Sequence, residues 1–338
     1  MIDHRLHVLR LFAAHGTVTA TARALHYTPS AVSHQLRTLA EELGEVLLVP
    51  EGRGVRLTPA ARTLLAHADG LFERWEEIRA ALAASSDEQS GSLRVCGFST
   101  AAAAMLPQVA AHFARAHPAV TVRIIEADPE ECFELLLADE ADLAVVVATA
   151  TLPPSVDPRF DQRPLLDDPL DLLVPCDHRL AGSPSVMLSE VADEPWLSDR
   201  PGRPHHRLVL TACAEAGFTP AIAHEAAEWD TGAALVGAGL GVALVPRLAR
   251  LPSGYPVVRV PLRGDPRPAR HIVSGVRRGG REHPVLAAAL GVLEGIAGEL
   301  SVGSTGDDKV KSQRDRFATE VAAAVRVTEP TASQARNR

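Results

Sequence analysis

The sequence predicts an α+β chain of several domains, with a winged helix-turn-helix, a long helix and then a two-lobed α/β region. Three observations predict this fold. Near the N-terminus, a three-residue break at 26–28 separates two short helical patterns. An evenly spaced apolar seam then runs over 59–84, and beyond residue 91 apolar strand patterns alternate with helical ones. The 338 residues allow two domains and a smaller third.

The first helix is predicted over residues 3–15. Thr19 is expected to cap a second helix that reaches Leu25. Thr28 is expected to cap the third helix, with Pro29 in the first helical position, where a missing N–H has no consequence. The side chains predicted to form the buried stripe of the third helix are Val32, Leu36, Leu39 and Leu43.

The opposite face of the third helix is polar, and its side chains are Ser30, Ser33, His34 and Arg37. Two helices joined by a short turn can offer such groups to base edges and phosphates in the major groove of DNA. The alternative is the solvated face of an ordinary helical hairpin. Short strands at 46–49 and 55–58, around Arg53, predict a β-wing and favour DNA binding.

Charge gives little further information. Residues 1–63 carry seven Arg and five Asp or Glu, a net charge of +2, whereas the whole chain has a net charge of −8. The chain as a whole therefore does not resemble a nucleic-acid binder, and the interpretation depends on the helix-turn-helix pattern.

The long helix predicted over 59–84 carries a heptad seam, in which apolar residues recur at steps of four and three. A helix of this length, about 38 Å, more readily fits a partner helix than its own domain, although packing on its own domain is the alternative. The seam, expected to hold a dimer, consists of Leu64, Ala68, Leu71, Trp75, Ile78 and Leu82.

The remainder of the chain predicts two α/β lobes. Strands at 93–98, 120–126 and 143–148 alternate with helices at 101–116 and 130–138, which predicts a parallel, covered sheet. A second set follows. Its strands are predicted at 170–175, 242–245, 257–261 and 271–277, and its helices at 208–216, 232–238 and 284–296. Two such lobes usually hold a small ligand in the cleft between them.

The predicted domain boundaries follow from these patterns. They are a helix-turn-helix domain at 1–58, a linker helix at 59–90, an effector domain at 91–300 and a mostly disordered tail at 301–338, with a short helix near 317–325. Within the effector domain, lobe I is predicted at about 91–162 and 269–300, and lobe II at about 163–268.

Several chemical classes find no support in the sequence. The four cysteines show no C-x-x-C spacing, so neither a metal site nor a cofactor is expected. No signal peptide and no bilayer-spanning run are recognised, which predicts a cytoplasmic protein without a membrane partner. His205 and His206 are interpreted as a pair in a loop, too closely spaced to chelate a metal, and no set of catalytic residues is found. The chain is therefore not expected to be an enzyme.

These stretches resemble the LysR-type transcriptional regulators over about residues 3–300. The helix-turn-helix reads ATARALHYTPSAVSHQLRTLAEELG and the wing GRGVRLTPA, while CAEAGFTP and GLGVALVPRLA are similar to the second effector lobe. The chain departs from the family pattern at Pro29-Ser30, where Gln-Pro is usual, at Ala40, where Glu is common, and at Pro50, where Arg is frequent. These departures concern the operator sequence rather than the fold.

The resemblance implies a DNA-binding regulator with a dimerising linker helix and a periplasmic-binding-protein-like effector domain. Such proteins are often tetramers, so a homodimer or homotetramer is expected, with double-stranded DNA and a small metabolite, often an anion, as partners. By this resemblance, the DNA contacts fall on Thr28, Pro29, Ser30, Ser33, His34, Arg37 and, in the wing, Arg53.

The predicted effector site lies where the first strand of lobe I ends. A helix is expected to begin just after Ser99 and Thr100, which would place free N–H groups and hydroxyls, one of them capping the helix, at a site suited to a carboxylate. Arg203 would balance the charge, while Asp230 is expected to cap a helix. The full predicted set is Ser99, Thr100, Trp196, Arg203, Trp229, Asp230 and Thr231.

The leading hypothesis is thus a transcriptional regulator that responds to a small anionic effector. One alternative is a redox-sensing regulator of the same fold, for which Cys176 and Cys213 are the candidate pair. Another is a two-lobed ligand-binding protein or enzyme with no effector-controlled role on DNA.

Overall fold

The computed structural model describes residues 2–52, 54–85, 90–265 and 267–302. The tail predicted from residue 301, with its helix near 317–325, lies outside these residues apart from its first two positions. Wing residue Arg53 also lies outside them.

Three short helices open the chain: α1 (His4–His15), α2 (Val18–Ala24) and α3 (Pro29–Leu43). Thr28 caps α3 as predicted, because its side chain accepts a hydrogen bond from the N–H of Ala31. The prediction for α2 was wrong by two residues. Thr17, which follows the turn at Gly16 in an extended conformation, caps this helix in place of Thr19.

The helices enclose a core to which each contributes, namely Val8, Leu9, Phe12, Ala22, Val32, Leu36, Leu39, Leu47 and Ala61. Leu43 was expected to be buried but is 47% exposed, because it is the last residue of α3. The wing follows as an antiparallel pair, β1 (Leu48–Glu51) and β2 (Gly54–Leu57).

A 26-residue helix, α4 (Pro59–Ala84), comes next, with the bounds that its pattern predicts. Thr58 fixes its start in two ways. The hydroxyl of Thr58 donates to the carbonyl of Val46 at 2.6 Å and accepts from the N–H of Ala61 at 3.1 Å. The wing and α4 are thereby joined at one side chain.

Lobe I contains the predicted parallel strands β3 (Gly91–Gly97), β4 (Val120–Glu126) and β5 (Leu143–Val147), with β3 in the middle. The single helix predicted over 101–116 is in fact two, α5 (Ser99–Ala104) and α6 (Leu106–Ala116). Pro107 has no N–H to continue the ladder of the preceding turn, which explains the break at Met105. Helix α7 (Pro129–Leu137) covers the same sheet.

One strand, β6 (Phe160–Pro175), belongs to both lobes. Its first part pairs antiparallel with β11 (Ala269–Arg277), and its second part with β9 (Val242–Pro246) and β10 (Val257–Pro261). The order β4-β3-β5-β11-β6-β9 therefore makes a mixed sheet, in which β4, β3 and β5 form the predicted parallel part and the strands after them pair antiparallel.

Lobe II contains two further strands that were not predicted, β7 (Pro195–Ser198) and β8 (Ala221–Glu225), and β7 lies parallel to both β8 and β9. Its helices are α8 (Pro204–Glu215) and α9 (Trp229–Gly237). At Gly241, with φ at +148°, an added Cβ would lie 2.3 Å from the carbonyl oxygen of Pro195, so only glycine fits where β9 meets β7.

The last described helix, α10 (Pro284–Val302), is apolar along most of its length. Its stretch Pro284–Ser301 is long and apolar enough to cross a membrane by length and composition. Leu286, Leu290 and Leu293 are nevertheless buried, as in the core helix of a globular domain.

Candidate DNA-binding face and effector cleft

The polar face of α3 is exposed throughout. Its buried side is formed by Val32, Leu36 and Leu39. The six described residues predicted to contact DNA, Thr28, Pro29, Ser30, Ser33, His34 and Arg37, are all exposed. The four within the helix at steps of three and four, which therefore share one face, are Ser30, Ser33, His34 and Arg37.

Two exposed arginines of the helix-turn-helix and wing were not among the predicted contacts. Arg56 lies on β2 and pairs with Glu51 at 3.2 Å, and Arg23 lies on α2. The alternation of exposed and half-buried residues along β2 is the signal that could have identified Arg56.

The seam of α4 divides into two parts. Leu71, Ile78 and Leu82 are 55%, 40% and 63% exposed, an apolar row without cover from the described chain. Trp75 between them is half-buried. Ala68, by contrast, is buried within its own chain, so its assignment as a partner contact is wrong, and Leu64 packs against the core of the helix-turn-helix.

At the predicted effector site, α5 begins at Ser99, two residues earlier than expected. Its N-cap is Phe98, which supplies no side-chain hydrogen bond, so the prediction that Ser99 or Thr100 caps the helix is wrong. Both hydroxyls lie inside the first turn, beyond the capping position. Among the described residues neither hydroxyl forms a hydrogen bond, and Ser99 is exposed while Thr100 is largely buried.

A buried ion pair next to this turn was missed by the sequence analysis. The guanidinium of Arg270, at the start of β11, lies 5.1 Å from the centre of the Phe98 ring. It donates to Asp168 of β6 at 2.6 and 3.1 Å. Asp168 also accepts the N–H of Leu248 from lobe II at 2.9 Å. Burial lowers the pKa of Arg270 and Asp168 opposes the change, so the guanidinium remains charged.

Arg203 faces both lobes. It is the N-cap residue of α8 in lobe II, and its guanidinium lies 3.6 Å from a carboxylate oxygen of Asp128 in lobe I and 3.6 Å from one of Asp199. The Arg203 side chain is 52% exposed. Both ion pairs are therefore loose, and the guanidinium remains accessible to a ligand.

Two predictions for lobe II were wrong. Trp196 is completely buried in the core of the lobe, where its indole N–H donates to the carbonyl of Val191 at 3.2 Å, so it cannot contact a ligand in the cleft. Asp230 does not cap α9, since the N-cap is Glu228, and it accepts a hydrogen bond from Tyr255 at 3.3 Å. Asp230 and Thr231 are both exposed.

His205 lies in the first turn of α8, not in a loop as predicted, and its ring meets the half-buried Trp229 edge-on at 4.9 Å. Its Nε2 is 3.1 Å from the carbonyl oxygen of Leu244. A carbonyl only accepts, so Nε2 carries the hydrogen and Nδ1 is left as a buried acceptor without a partner among the described residues. Burial and the positive charge of Arg270 lower the pKa of His205 to about 4, which keeps the ring neutral.

The cysteines do not form the pair that redox sensing would need. Cys176 is exposed, whereas Cys213 is buried in lobe II, where burial raises its pKa to about 12. Cys96 and Cys132 are buried neighbours, and the second thiol together with burial raises the pKa of Cys96. Thiols in this state are poor nucleophiles. Within the described residues, no three His, Cys, Asp or Glu side chains are grouped to hold a metal ion.

Comparisons with known proteins agree with this architecture. The family described as "Bacterial regulatory helix-turn-helix protein, lysR family" matches residues 4–62, and "LysR substrate binding domain" matches residues 86–296. GltR of Bacillus subtilis, a transcriptional regulator, is 28% identical over 242 residues, covering 72% of this chain and 78% of GltR. The transcriptional activator IlvY of Salmonella typhimurium is 29% identical over 241 residues, covering 70% and 79%.

Solved structures share the fold. The LysR family regulator HinK of Pseudomonas aeruginosa has a TM-score of 0.56 at 23% identity, covering 88% of this chain and 98% of HinK. Full-length OxyR C199D of the same organism has a TM-score of 0.59 at 20% identity, covering 87% and 95%. Because the substrate-binding match alone spans more than half of the chain, the protein belongs to the LysR-type transcriptional regulators, which bind DNA and respond to small-molecule effectors.

Proposed function

We propose that this regulator acts in the cytoplasm and reads DNA with the exposed face of α3, assisted by the wing. The proposed contacts are Thr28, Pro29, Ser30, Ser33, His34, Arg37 and Arg53. The observation that supports them is the complete exposure of the polar face over a fully buried apolar one. Selection of duplexes from a random library by the full-length protein, followed by gel-shift, tests this proposal. Failure to enrich any sequence would contradict it.

We further propose that the effector is a small anion, a carboxylate, held between the lobes. The observation that carries this proposal is the start of α5, where no side chain caps the first-turn N–H groups and the hydroxyls of Ser99 and Thr100 have no hydrogen-bond partner among the described residues. Arg203 in lobe II would meet the anion from the other side, the effector carboxylate replacing Asp128 as its partner. The proposed effector site would be completed on the lobe II side by Trp229, with Asp230 and Thr231 next to it in the sequence.

A thermal-shift screen of small mono- and dicarboxylic acids, followed by calorimetry, tests the anion proposal. Thr100→Val keeps the volume of the side chain and removes its hydroxyl, so it should weaken binding of a screened acid by about 1–2 kcal/mol if that hydroxyl bonds the ligand. Ser99→Ala is the companion variant. Unchanged affinity in both would move the site elsewhere, and a cationic or apolar effector would refute the anion claim.

The oligomer is proposed to be a homodimer, or a tetramer made from it, joined along the exposed row on α4. Trp75 lies in the middle of this row, between Leu71 and Ile78. Trp75→Glu would place a charge in the interface and should give a monomer with far weaker DNA binding, because two half-sites must be engaged together. Sedimentation of an intact dimer by this variant would show that another surface joins the subunits.

A further inference from the structure

Helix α4 has a second face that contacts other parts of its own chain. On the side away from the exposed apolar row, Asp69, Phe72, Glu73 and Glu76 line a small polar cavity together with Arg159 and Arg277 of lobe I. The spacing of the four α4 residues places them on one side of the helix. The helix therefore has an apolar row on one side and a row of contacts with its own effector domain on the other.

The strongest of these contacts joins Arg277, the last residue of β11, to α4. Its Nε donates to Glu76 at 3.2 Å, and its remaining N–H groups donate to the carbonyls of Leu136 and Ala141 and to Asp142. Arg277 is largely buried. Its bonds to Leu136, Ala141 and Asp142 are shielded from water, and its bond to Glu76 is partly buried. A single guanidinium thus holds the linker helix against the core of lobe I.

Backbone packing makes this contact specific. Gly279 has φ at +83°, and an added Cβ would lie 2.3 Å from the carbonyl oxygen of Glu73. The backbone of α4 therefore rests directly on the turn after β11, and no side chain fits between them. Here Glu73, Glu76, Arg277 and Gly279 are called the α4 seat.

The same face of α4 is tied to the helix-turn-helix. In Arg10 of α1, Nε lies 3.1 Å from Oδ1 of Asp69, and Cζ lies 4.5 Å from the centre of the Phe72 ring. Burial lowers the pKa of Arg10 to about 10, and the carboxylate of Asp69 opposes the change. This face of α4 therefore contacts the DNA-binding region at Asp69 and Phe72 and, directly after them, lobe I at Glu73 and Glu76.

The other end of β11 lies at the cleft, where Arg270 borders Phe98. Strand β11 runs without interruption from Arg270 to Arg277. It pairs with β6 along its length, with a register shift between Ile272 and Val273, and with β5 over residues 272–275. We propose that the α4 seat passes changes in the cleft to the DNA-binding helices, and that Arg277 is the positioning residue of this coupling. This inference rests on the proposed effector cleft.

A crosslink between the lobes serves as the probe, because no ligand needs to be known. Asp128→Cys and Arg203→Cys, in a Cys176→Ser background that removes the exposed thiol, are joined by a short bismaleimide. Neither Asp128 nor Arg203 makes a side-chain capping bond, so both helix starts should persist. The uncrosslinked protein is the reference, and the readouts are affinity for a selected duplex and amide exchange over residues 69–80.

Seat variants are then added to the crosslinked protein. Gly279→Ala forces α4 away from the turn, and Glu76→Gln removes the α4 carboxylate that pairs with Arg277 while the lobe I carboxylates of Asp139 and Asp142 remain. Gly217→Ala is the matched control, since Gly217 has φ at +88° but nothing within 4 Å of an added Cβ. It therefore reproduces the backbone strain without touching α4.

With the seat intact, or with the Gly217→Ala control, the crosslink is expected to change DNA affinity at least about threefold and to alter exchange over 69–80. In Gly279→Ala and Glu76→Gln both responses should disappear. Equal responses in seat variants and control, or no response with the seat intact, would overturn the proposal. Failure to select any duplex would instead count against the DNA-binding face, and amide exchange alone would then decide the seat.

Discussion

Helices α3 and α5 both begin beside hydroxyl side chains, and each start lies in a proposed binding region. At α3, Thr28 occupies the capping position, and its oxygen accepts the N–H of Ala31 at 3.2 Å. At α5, the capping position belongs to Phe98, and the hydroxyls of Ser99 and Thr100 follow it. The hydroxyl of Thr28 satisfies a backbone N–H of its own helix. The hydroxyls of Ser99 and Thr100 have no hydrogen-bond partner among the described residues.

The difference shows that residue type does not decide between a structural and a binding role. A shift of one residue in the start of the helix determines whether a hydroxyl satisfies the backbone or is left for a ligand. The surroundings differ in the same sense, because α3 presents its hydroxyls to solvent and α5 lies beside the buried Arg270 and Asp168.

The largest expected effect concerns that ion pair. Asp168→Ala would leave the guanidinium of Arg270 buried without its carboxylate, and should lower the free energy of unfolding by about 3–5 kcal/mol. The matched control is Asp167→Ala, since Asp167 is 71% exposed and its ion pair is with the exposed His271. Urea denaturation that finds the two variants equally stable would show that the cleft side does not depend on a buried charge pair.

Acid should weaken both regions through their buried histidines. Burial lowers the pKa to about 4 in His205 beside the cleft and in His7 of α1. The unfolded chain binds protons more readily there, so stability falls as pH falls from about 6.5 towards 4.

Replacing His205 or His7 separates the contributions of the two imidazole rings to the pH dependence of stability. Between pH 7 and pH 5, His205 should account for a loss of about 2 kcal/mol, which His205→Gln removes while His7 remains. Chemical denaturation at the two pH values provides the measurement. An unchanged pH dependence in His205→Gln would mean that the ring is protonated in the folded protein.

A smaller effect tests the two helix starts directly. Thr28→Ala should destabilise the protein by about 1 kcal/mol, because an N–H of the first turn loses its partner. Thr100→Val should change stability by about 0.5 kcal/mol or less, since its hydroxyl bonds nothing in the fold. Denaturation curves give both values. A large loss in Thr100→Val would assign that hydroxyl a structural role and remove the distinction between the helices.

The smallest change should be in the salt dependence of DNA binding. Arg53→Ala is expected to weaken binding and to reduce the slope of log affinity against log salt by about one unit. Ser33→Ala and His34→Ala should alter sequence preference more than this slope. Gel-shift titrations at several salt concentrations measure both, and an unaltered slope and affinity in Arg53→Ala would show that the wing does not contact DNA.

The helix-turn-helix and the linker helix were predictable because their signals are local. Thr28 and Pro29 mark the start of α3 within two adjacent residues, and the apolar steps of α4 reproduce its bounds, Pro59–Ala84. For α4 a partner helix was the preferred prediction and packing on its own domain the alternative. Its other face does contact its own chain, at Arg277, which lies far along the sequence.

The buried ion pair beside the start of α5 could not be predicted from local patterns. Arg270 and Asp168 are 102 residues apart, and neither has a neighbour in sequence that marks it. Most of the first part of β6 reads as a polar loop, FDQRPLLDDP, because its carboxylates pair with arginines from other segments, including Arg270 and Arg281. Trp196 illustrates the opposite error, since it was assigned to the effector site and belongs to the core of lobe II.

The position of β11 between β5 and β6 has a consequence for synthesis of the chain on the ribosome. Strand β5 (Leu143–Val147), almost wholly buried in the finished protein, emerges about 130 residues before the strand that covers its edge. At ordinary translation rates this edge stays unpaired for on the order of ten seconds. During that interval the nascent chain carries an apolar strand edge able to pair with another copy, so expression yield should respond to translation speed and to chaperones more than to the stability of the folded protein.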